Sequence, residues 1–358
     1  MTARVNDCAQ YEITTLRIDK TTDGRHAEVE FVNDWKVDAS RRDLTINSMF
    51  IDLEGTLYDY FDGKADLDRR EIRFVGDTAS RLREDYLRIF RYFRFHTRFG
   101  VAGRHDAATI QTMKEHVDGL EIISGERIWM EMRRILGNIN CGNAVQMMLH
   151  ELGMGRHMGF GSEVSLEEFY RTQQRLAQYP HDGEKHEWKP QTLLASLVPD
   201  SETLLSVVTR MRLSNQERDS MAYILQNRTA SADLLSNIHL LRTQLALTPR
   251  PNQAHLREFI LQYLMYMGAE EQQLAAIASW PVPVFPFNGR MVANRVRRKQ
   301  QISKLLDRLK AAWAATNFEM DEEAMQAEVD RILERLLEEE AEEEEDVKRK
   351  RKEEAEEV

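Results

Sequence analysis

The chain has little cysteine, little proline and no long apolar stretch, and each shortage excludes something. Its two cysteines, Cys8 and Cys141, lie far apart in 358 residues with no Cys-x-x-Cys or Cys/His spacing around them. A disulfide scaffold and a structural zinc are therefore disfavoured, and a reducing compartment fits best. No run of 18 or more apolar residues occurs, so no membrane-spanning helix is expected. Residues 1–10 have neither the apolar centre of a secretory signal nor the Arg-rich, acid-poor character of a transit peptide, and no targeting peptide is expected in them. Of the eight prolines, Pro281, Pro283 and Pro286 fall together and mark a linker or change of direction at residues 280–289. What is plentiful is globular content: with 42% hydrophobic residues the chain can bury real cores, and its length allows two or more packed units.

Positive charge is also short, with a net charge of −11, but the deficit is uneven. Residues 338–358 carry twelve acidic and five basic side chains, which leaves −4 for all the others. Residues 81–98 go the other way, with six arginines against Glu84 and Asp85. Binding of a polyanion depends on such local fields more than on the total. The 338–358 stretch is low in complexity and is expected to be a solvated helix or a disordered tail. Its KRKRK run at 348–352 reads either as a nuclear import signal or as a charged face.

Residues 11–19 (YEITTLRID) and 25–32 (RHAEVEFV) are short, β-branched and roughly alternating, and Asp23-Gly24 between them predicts a β-hairpin. Residues 44–53 read as a helix and 72–75 as another short strand. From Asp77 onward the periodicity is helical almost to the end, with helices expected near 78–98, 105–119, 124–136, 165–178, 201–227, 230–246, 252–278 and 299–314. No repeat of fixed period interrupts this pattern. A small α/β head followed by a long helical body is the implied architecture.

The most informative pattern is Glu84-Asp85-x-x-Arg88-x-x-Arg91-x-x-Arg94. On one continuous helix, at about 100° per residue, Asp85 and Arg88 lie about 60° apart and Arg91 about 60° further round. A carboxylate beside a guanidinium can read a base edge. Asp85 accepts from the exocyclic amine of cytosine or adenine, and Arg88 donates to the ring nitrogen or carbonyl beside it. Guanine and uracil present a carbonyl where the amine should be and meet repulsion. The plainer reading is an i,i+3 ion pair on a helix whose Tyr86, Leu87, Phe90, Tyr92, Phe93 and Phe95 are ordinary core. The arginines outnumber the acids beside them, however, and an external anion such as a triphosphate is their natural partner.

Upstream, Arg41-Arg42-Asp43-x-x-x-Asn47 places paired cations and a carboxylate before an apolar run. Asp43 reads either as a helix N-cap or, with Asn47, as a ribose-binding group beside a phosphate-binding Arg42.

Together these segments resemble the class II CCA-adding tRNA nucleotidyltransferase and poly(A) polymerase family, of the animal mitochondrial type. The resemblance is carried by YEITTLRID, DGRHAEVEF, RRDLTINSMF, DYFDGKADL, IRFVG, EDYLRIFRYFRF and ISGERIWMEM, and more faintly by SLEEFY, TLLASL and SWPVPVFPFNG. It implies an α+β protein with a partial nucleotidyltransferase head sheet and an all-helical remainder. The implied parts are a head over 1–76, a nucleotide-reading neck over 77–140, a body over 141–279, a tRNA-binding tail over 280–336 and the low-complexity end over 337–358. It implies nucleotide binding by Arg42, Asp43, Asn47, Asp85, Arg88, Arg91 and Arg94, and a head-to-neck coupling segment with Asp59, Gly63 and Asp66. Ser124, Glu126 and Arg127 match the turn into the next neck helix. Its partners would be tRNA with CTP and ATP, its place mitochondrial or nuclear-cytoplasmic.

The reaction joins the tRNA 3′ hydroxyl to the α-phosphate of CTP or ATP, with two Mg2+ ions about 4 Å apart held by carboxylates. Glu12 matches the third of these carboxylates, as catalytic residue and metal ligand. The family places a Gly-rich turn and an Asp-x-Asp metal pair before this strand, and these 358 residues do not contain them. The expectation is an N-terminally truncated member, inactive alone, or a tRNA- and nucleotide-binding form without turnover, or an unstable fragment. An unpaired apolar edge at 11–19 would favour aggregation or a homodimer. Asp66-x-Asp68 is a poor substitute for the metal pair, since it lies in the coupling segment. The basic run with Arg295, Arg297, Arg298 and Lys299 reads as a tRNA-backbone contact or a solvated helix start.

Overall fold

The head begins with two hairpins where the sequence suggests one. In this computed structural model β1 (Thr2–Val5) pairs antiparallel with β2 (Ala9–Glu12), setting Thr2 opposite Glu12. A second antiparallel pair joins β3 (Arg17–Thr22) to β4 (Ala27–Phe31), with an irregular step between Asp19 and Thr21. The expected strand over 11–19 is thus divided, because Ile13 exchanges backbone hydrogen bonds with Met1 at 2.7 and 2.8 Å and ends the first ladder there. The structure describes every residue except 7–8, 23–26, 162, 180–185, 230–236, 297–299 and 357–358, so the expected Asp23-Gly24 turn lies outside the described residues.

After β4 comes α1 (Trp35–Ser40), capped by Asp34, which accepts from the Lys36 and Val37 N–H groups. The helix expected over 44–53 does not form. Residues 45–47 make one 3-10 turn, and β5 (Phe50–Ile51) then pairs with β6 (Leu57–Tyr58). Tertiary pairing takes the backbone instead: Thr45 N–H donates to the Arg73 carbonyl at 3.0 Å, Leu44 bridges Phe74, and Val75 N–H donates to the Asp43 carbonyl at 3.0 Å. That bridge is all that remains of the expected strand at 72–75.

The short helix α2 (Gly63–Arg69) packs on the 3-10 turn so closely that a Cβ on Gly63 would stand 2.2 Å from the Thr45 carbonyl oxygen. Asp59 accepts from the Gly63 and Lys64 N–H groups at 2.9 and 2.8 Å and fixes its start.

The expected helix over 78–98 is broken in two, α3 (Thr78–Glu84) and α4 (Arg88–Phe99). Asp85 is extended at φ −160° and ψ 105°; its side chain accepts the Leu87 N–H at 3.2 Å and its carbonyl accepts the Arg88 N–H at 3.0 Å. An aspartate that captures nearby backbone donors ends one helix and starts the next. Downstream, α5 (Ala107–His116) leads to α6 (Gly125–Leu136), and α6 packs on α4 with Phe90, Phe93, Ile128, Met132 and Ile135 fully buried.

The chain forms two compact units, Met1–Thr229 with Gln262–Ala269, and Ala230–Leu261 with Glu270–Val358. The first holds all the described strands and the helices just named. In the second, Met325, Val329, Ile332 and Leu336 line one stripe of the helix Glu322–Glu356 and pack with Leu305, Leu309 and Trp313 of the helix Gln300–Ala315. Residues 281–288, which contain the three clustered prolines, carry no helix or strand. Among the described residues no helix is long and apolar enough to cross a membrane. The architecture is α+β: short strands in small sheets, then helices.

Candidate nucleotide-binding site

A cavity of 540 Å³ in the first unit is lined by Glu12 of β2, Arg17 of β3, Arg41, Arg42, Asp43 and Asn47 after α1, Asp85 at the α3–α4 break, and Arg88 and Arg91 of α4. Residues from four parts of the sequence thus meet on one polar, arginine-rich wall. Of the residues singled out in the sequence, Glu12, Arg42, Asp43, Asn47, Asp85, Arg88 and Arg91 are brought together here. Arg94 is not: one turn beyond Arg91, it pairs with Glu131 of α6 at 2.9 Å and lies 4.7 Å from the Phe95 ring centre.

The wall is held by ion pairs. Asp43 is buried and its carboxylate accepts from Arg91 Nε and, at 2.8 Å, from Asn47 Nδ2, while Asn47 Oδ1 accepts the Leu44 N–H at 3.3 Å. The cap of the 3-10 turn is Leu44, so the capping role open to Asp43 in the sequence falls away. Burial acts to raise the Asp43 pKa, but the Arg91 hydrogen bond and charge, with Asn47, outweigh it and hold the carboxyl below its usual range. Arg42 donates to Asp38 and to the Asn47 carbonyl at 3.1 Å, and lies 5.0 Å from the Phe50 ring centre.

The pair expected to read a base is arranged differently from the sequence expectation. Asp85 and Arg88 do not share a helix face, because Asp85 lies outside both helices. The Asp85 carboxylate is bonded to Arg127 of α6 at 2.6 Å. Arg88 is bonded to Glu84, to the Arg81 carbonyl at 2.9 Å and to the Arg41 carbonyl at 3.2 Å. Both still line the cavity, and the bends in the chain, not helical phase, put them there.

Sequence reasoning left out Arg17 and Asp38, and it named Arg41 as one of two paired cations without giving it a binding role. Asp38 had a signal, its i,i+3 and i,i+4 spacing to Arg41 and Arg42; Arg17 had none, being brought in by the second hairpin.

A two-metal centre needs carboxylates able to bridge a pair of hard cations. Of the three carboxylates lining the cavity, Asp43 is paired with Arg91 and Asp85 with Arg127, and five arginines share the wall with them and Glu12, so the charge that would attract a pair of divalent cations is already balanced by guanidinium groups. The donors present do not fit such a centre, and among the described residues no three His, Cys, Asp or Glu are grouped to hold a metal. Asp66 and Asp68 do not serve either. Asp66 is fully buried and bonded to Thr45 Oγ1 at 2.6 Å, Arg69 at 2.7 Å and Arg73 at 2.9 Å, while Asp68 is exposed and pairs with Lys64 at 2.7 Å.

In the second unit Arg295 is bonded to Asp330 and, at 2.7 Å, to Gln326. Arg297, Arg298 and Lys299 lie outside the described residues.

Comparison with known proteins gives the family and the fold. A family model described as the poly A polymerase head domain matches residues 1–73, and one described as a probable RNA and SrmB-binding site of polymerase A matches 106–157. A crystal structure of the Bacillus stearothermophilus CCA-adding enzyme in complex with CTP superposes with a TM-score of 0.66, covering 92% of this chain and 81% of that one at 23% identity. The fold is that of a nucleotidyltransferase head with helical domains. In sequence, CCA tRNA nucleotidyltransferase 1, mitochondrial, of Homo sapiens is 38% identical over 336 residues, and its Mus musculus counterpart is 36% identical over 327, each alignment covering 91% of this chain and 73% of the relative. The chain belongs to the CCA tRNA nucleotidyltransferase family.

Proposed function

We propose that the cavity binds CTP and ATP for addition to the 3′ end of tRNA, and that these 358 residues supply the nucleotide-reading part of that reaction without completing it alone. The observation that carries this is the meeting of five arginines with Asp43, Asn47 and Asp85 on one 540 Å³ cavity. The arginine forks suit the phosphates. Asp43 and Asn47 suit the ribose hydroxyls. Each Asp85 oxygen has a second lone pair beyond its bond to Arg127 or Leu87, which suits the exocyclic amine of cytosine or adenine and repels the carbonyl of uracil or guanine. Carboxylates able to bridge two Mg2+ ions must come from outside these residues for transfer to occur.

The names of the animal relatives favour a mitochondrial place for this chain. A homodimer through the exposed Tyr11 and Ile13 of the first hairpin region is a further reading, open to light scattering.

The test is incorporation of labelled CTP and ATP, with Mg2+, into a tRNA transcript lacking its CCA end, beside a binding assay for CTP and for the same transcript. Binding without incorporation is the expected result. Efficient incorporation would overturn the metal-site reading, and failure to bind CTP would overturn the cavity assignment.

A further inference from the structure

We infer that Asp38 is a positioning residue of this cavity, a single buried carboxylate that aims Arg41 and Arg42 at the phosphates of the bound nucleotide. The inference rests on the reading of the cavity as a nucleoside triphosphate site. Asp38 is 1% exposed. Its Oδ1 accepts from Arg41 Nε at 2.9 Å, from Arg41 Nη2 at 2.7 Å and from the Arg17 backbone N–H at 3.1 Å. Its Oδ2 accepts from Arg42 Nε at 3.2 Å and Nη2 at 3.1 Å.

A carboxylate offers about four lone-pair sites, so these donors saturate Asp38 and leave it no capacity to ligate substrate or metal. It acts through the arginines it holds. Each guanidinium group is bound by its Nε and Nη2 edge to one oxygen of Asp38, Arg41 to Oδ1 and Arg42 to Oδ2, and two donors per fork restrain its plane as well as its place. The Arg17 N–H adds a link from the start of β3 to the end of α1, so the aim of both arginines is referred to the head sheet. Lining arginines held before the ligand arrives need not be ordered by it, and that raises affinity for the group they grip. Asp38 makes no hydrogen bond of its own to Asp85 or Arg88, the groups assigned to the base, so its effect falls mainly on the phosphate end.

The test compares CTP and cytidine binding to the whole chain and to Asp38→Asn, with melting curves of both. The amide keeps the shape but turns a donor towards an arginine. CTP affinity is expected to fall at least tenfold while cytidine affinity changes less than twofold. An equal loss for both ligands, or unchanged CTP affinity in a variant whose parent binds CTP, overturns the inference alone. Absence of CTP binding in the parent overturns the cavity reading beneath it as well. If the variant does not fold, the parent labelled with 15N-arginine decides. Slowly exchanging, resolved Nε–H signals of Arg41 and Arg42 without nucleotide support prior fixation, and averaged signals that sharpen only with CTP overturn it.

Discussion

The Asp85 carboxylate meets Arg127 of α6 at 2.6 Å, while Arg88, three residues along the chain, is turned to Glu84 and the carbonyls of Arg81 and Arg41. The two groups expected to read the base are thus anchored separately, one from α6 and one from α3. Removing the carboxylate removes both the acceptor for an amine and the repulsion of a carbonyl. Asp85→Ala should therefore lower the preference for CTP over UTP by roughly 5- to 150-fold, the range of about 1–3 kcal/mol that a bidentate base contact supplies. Competition binding checks this, and unchanged selectivity would reject the base-reading role.

Asp66 and Asp68 are two residues apart but stand in opposite environments. Asp66 is wholly buried and shared by Thr45, Arg69 and Arg73, tying α2 to the 3-10 turn and to the segment before Phe74. Asp66→Asn takes one of two charge partners from Arg69, which also pairs with Glu71, and the partner of Arg73, and leaves an imperfectly bonded amide in a fully buried place, so it should cost about 1–3 kcal/mol of stability. The exposed Asp68–Lys64 pair contributes about 0–1 kcal/mol, and Asp68→Asn should be close to neutral. Denaturant titration separates the two, and equal effects would undo this account of α2.

The helical content and the arginine-rich segments were legible in the sequence because both rest on local periodicity and on polar residues too numerous to be idle. The single helices expected over 201–227 and 252–278, however, are each two, Ser201–Met211 with Asn215–Asn227 and Arg250–Met267 with Glu271–Ala278. What was not legible depends on distant pairing. The 44–53 segment reads as helical, but Thr45 and Leu44 give their backbone to Arg73 and Phe74, residues some thirty positions on. The 78–98 helix is broken by one aspartate whose side chain prefers nearby N–H groups, an effect that an apolar period running through it conceals. Arg127 reaches the Asp85 carboxylate only because α6 packs on α4, and no spacing within the sequence encodes that contact.

Arg295 was expected to touch tRNA, but its guanidinium is bonded to Asp330 and Gln326 of the long C-terminal helix. A cation already held by a carboxylate adds little to the release of counterions from RNA. Arg295→Gln should leave the salt dependence of tRNA binding unchanged and lower the stability of the second unit by up to about 1 kcal/mol. A shallower slope of log affinity against log salt in the variant would return Arg295 to the tRNA interface.

Acid sensitivity should come from His96 and His105 before it comes from the cavity. His105 accepts or donates one hydrogen bond with Tyr92 Oη at 3.0 Å and stacks on His96 at 3.9 Å between ring centres. Burial, and then the neighbouring His96, push its pKa down from 6.5 to about 4, and burial likewise lowers His96 against its bond to the Arg104 carbonyl. As pH falls below 6.5 the unfolded chain takes up these protons first, so stability declines between pH 6.5 and about 4. Asp38 and Asp43 act in a different window. Their carboxyls are held below the ordinary value of 3.8, so the stability they add is present above that pH and is lost only under more acid conditions. His105→Phe removes one titrating group while keeping a ring on His96, and should flatten the decline between pH 6.5 and 4 in denaturant midpoints. A decline as steep as in the parent would place the acid sensitivity elsewhere in the chain.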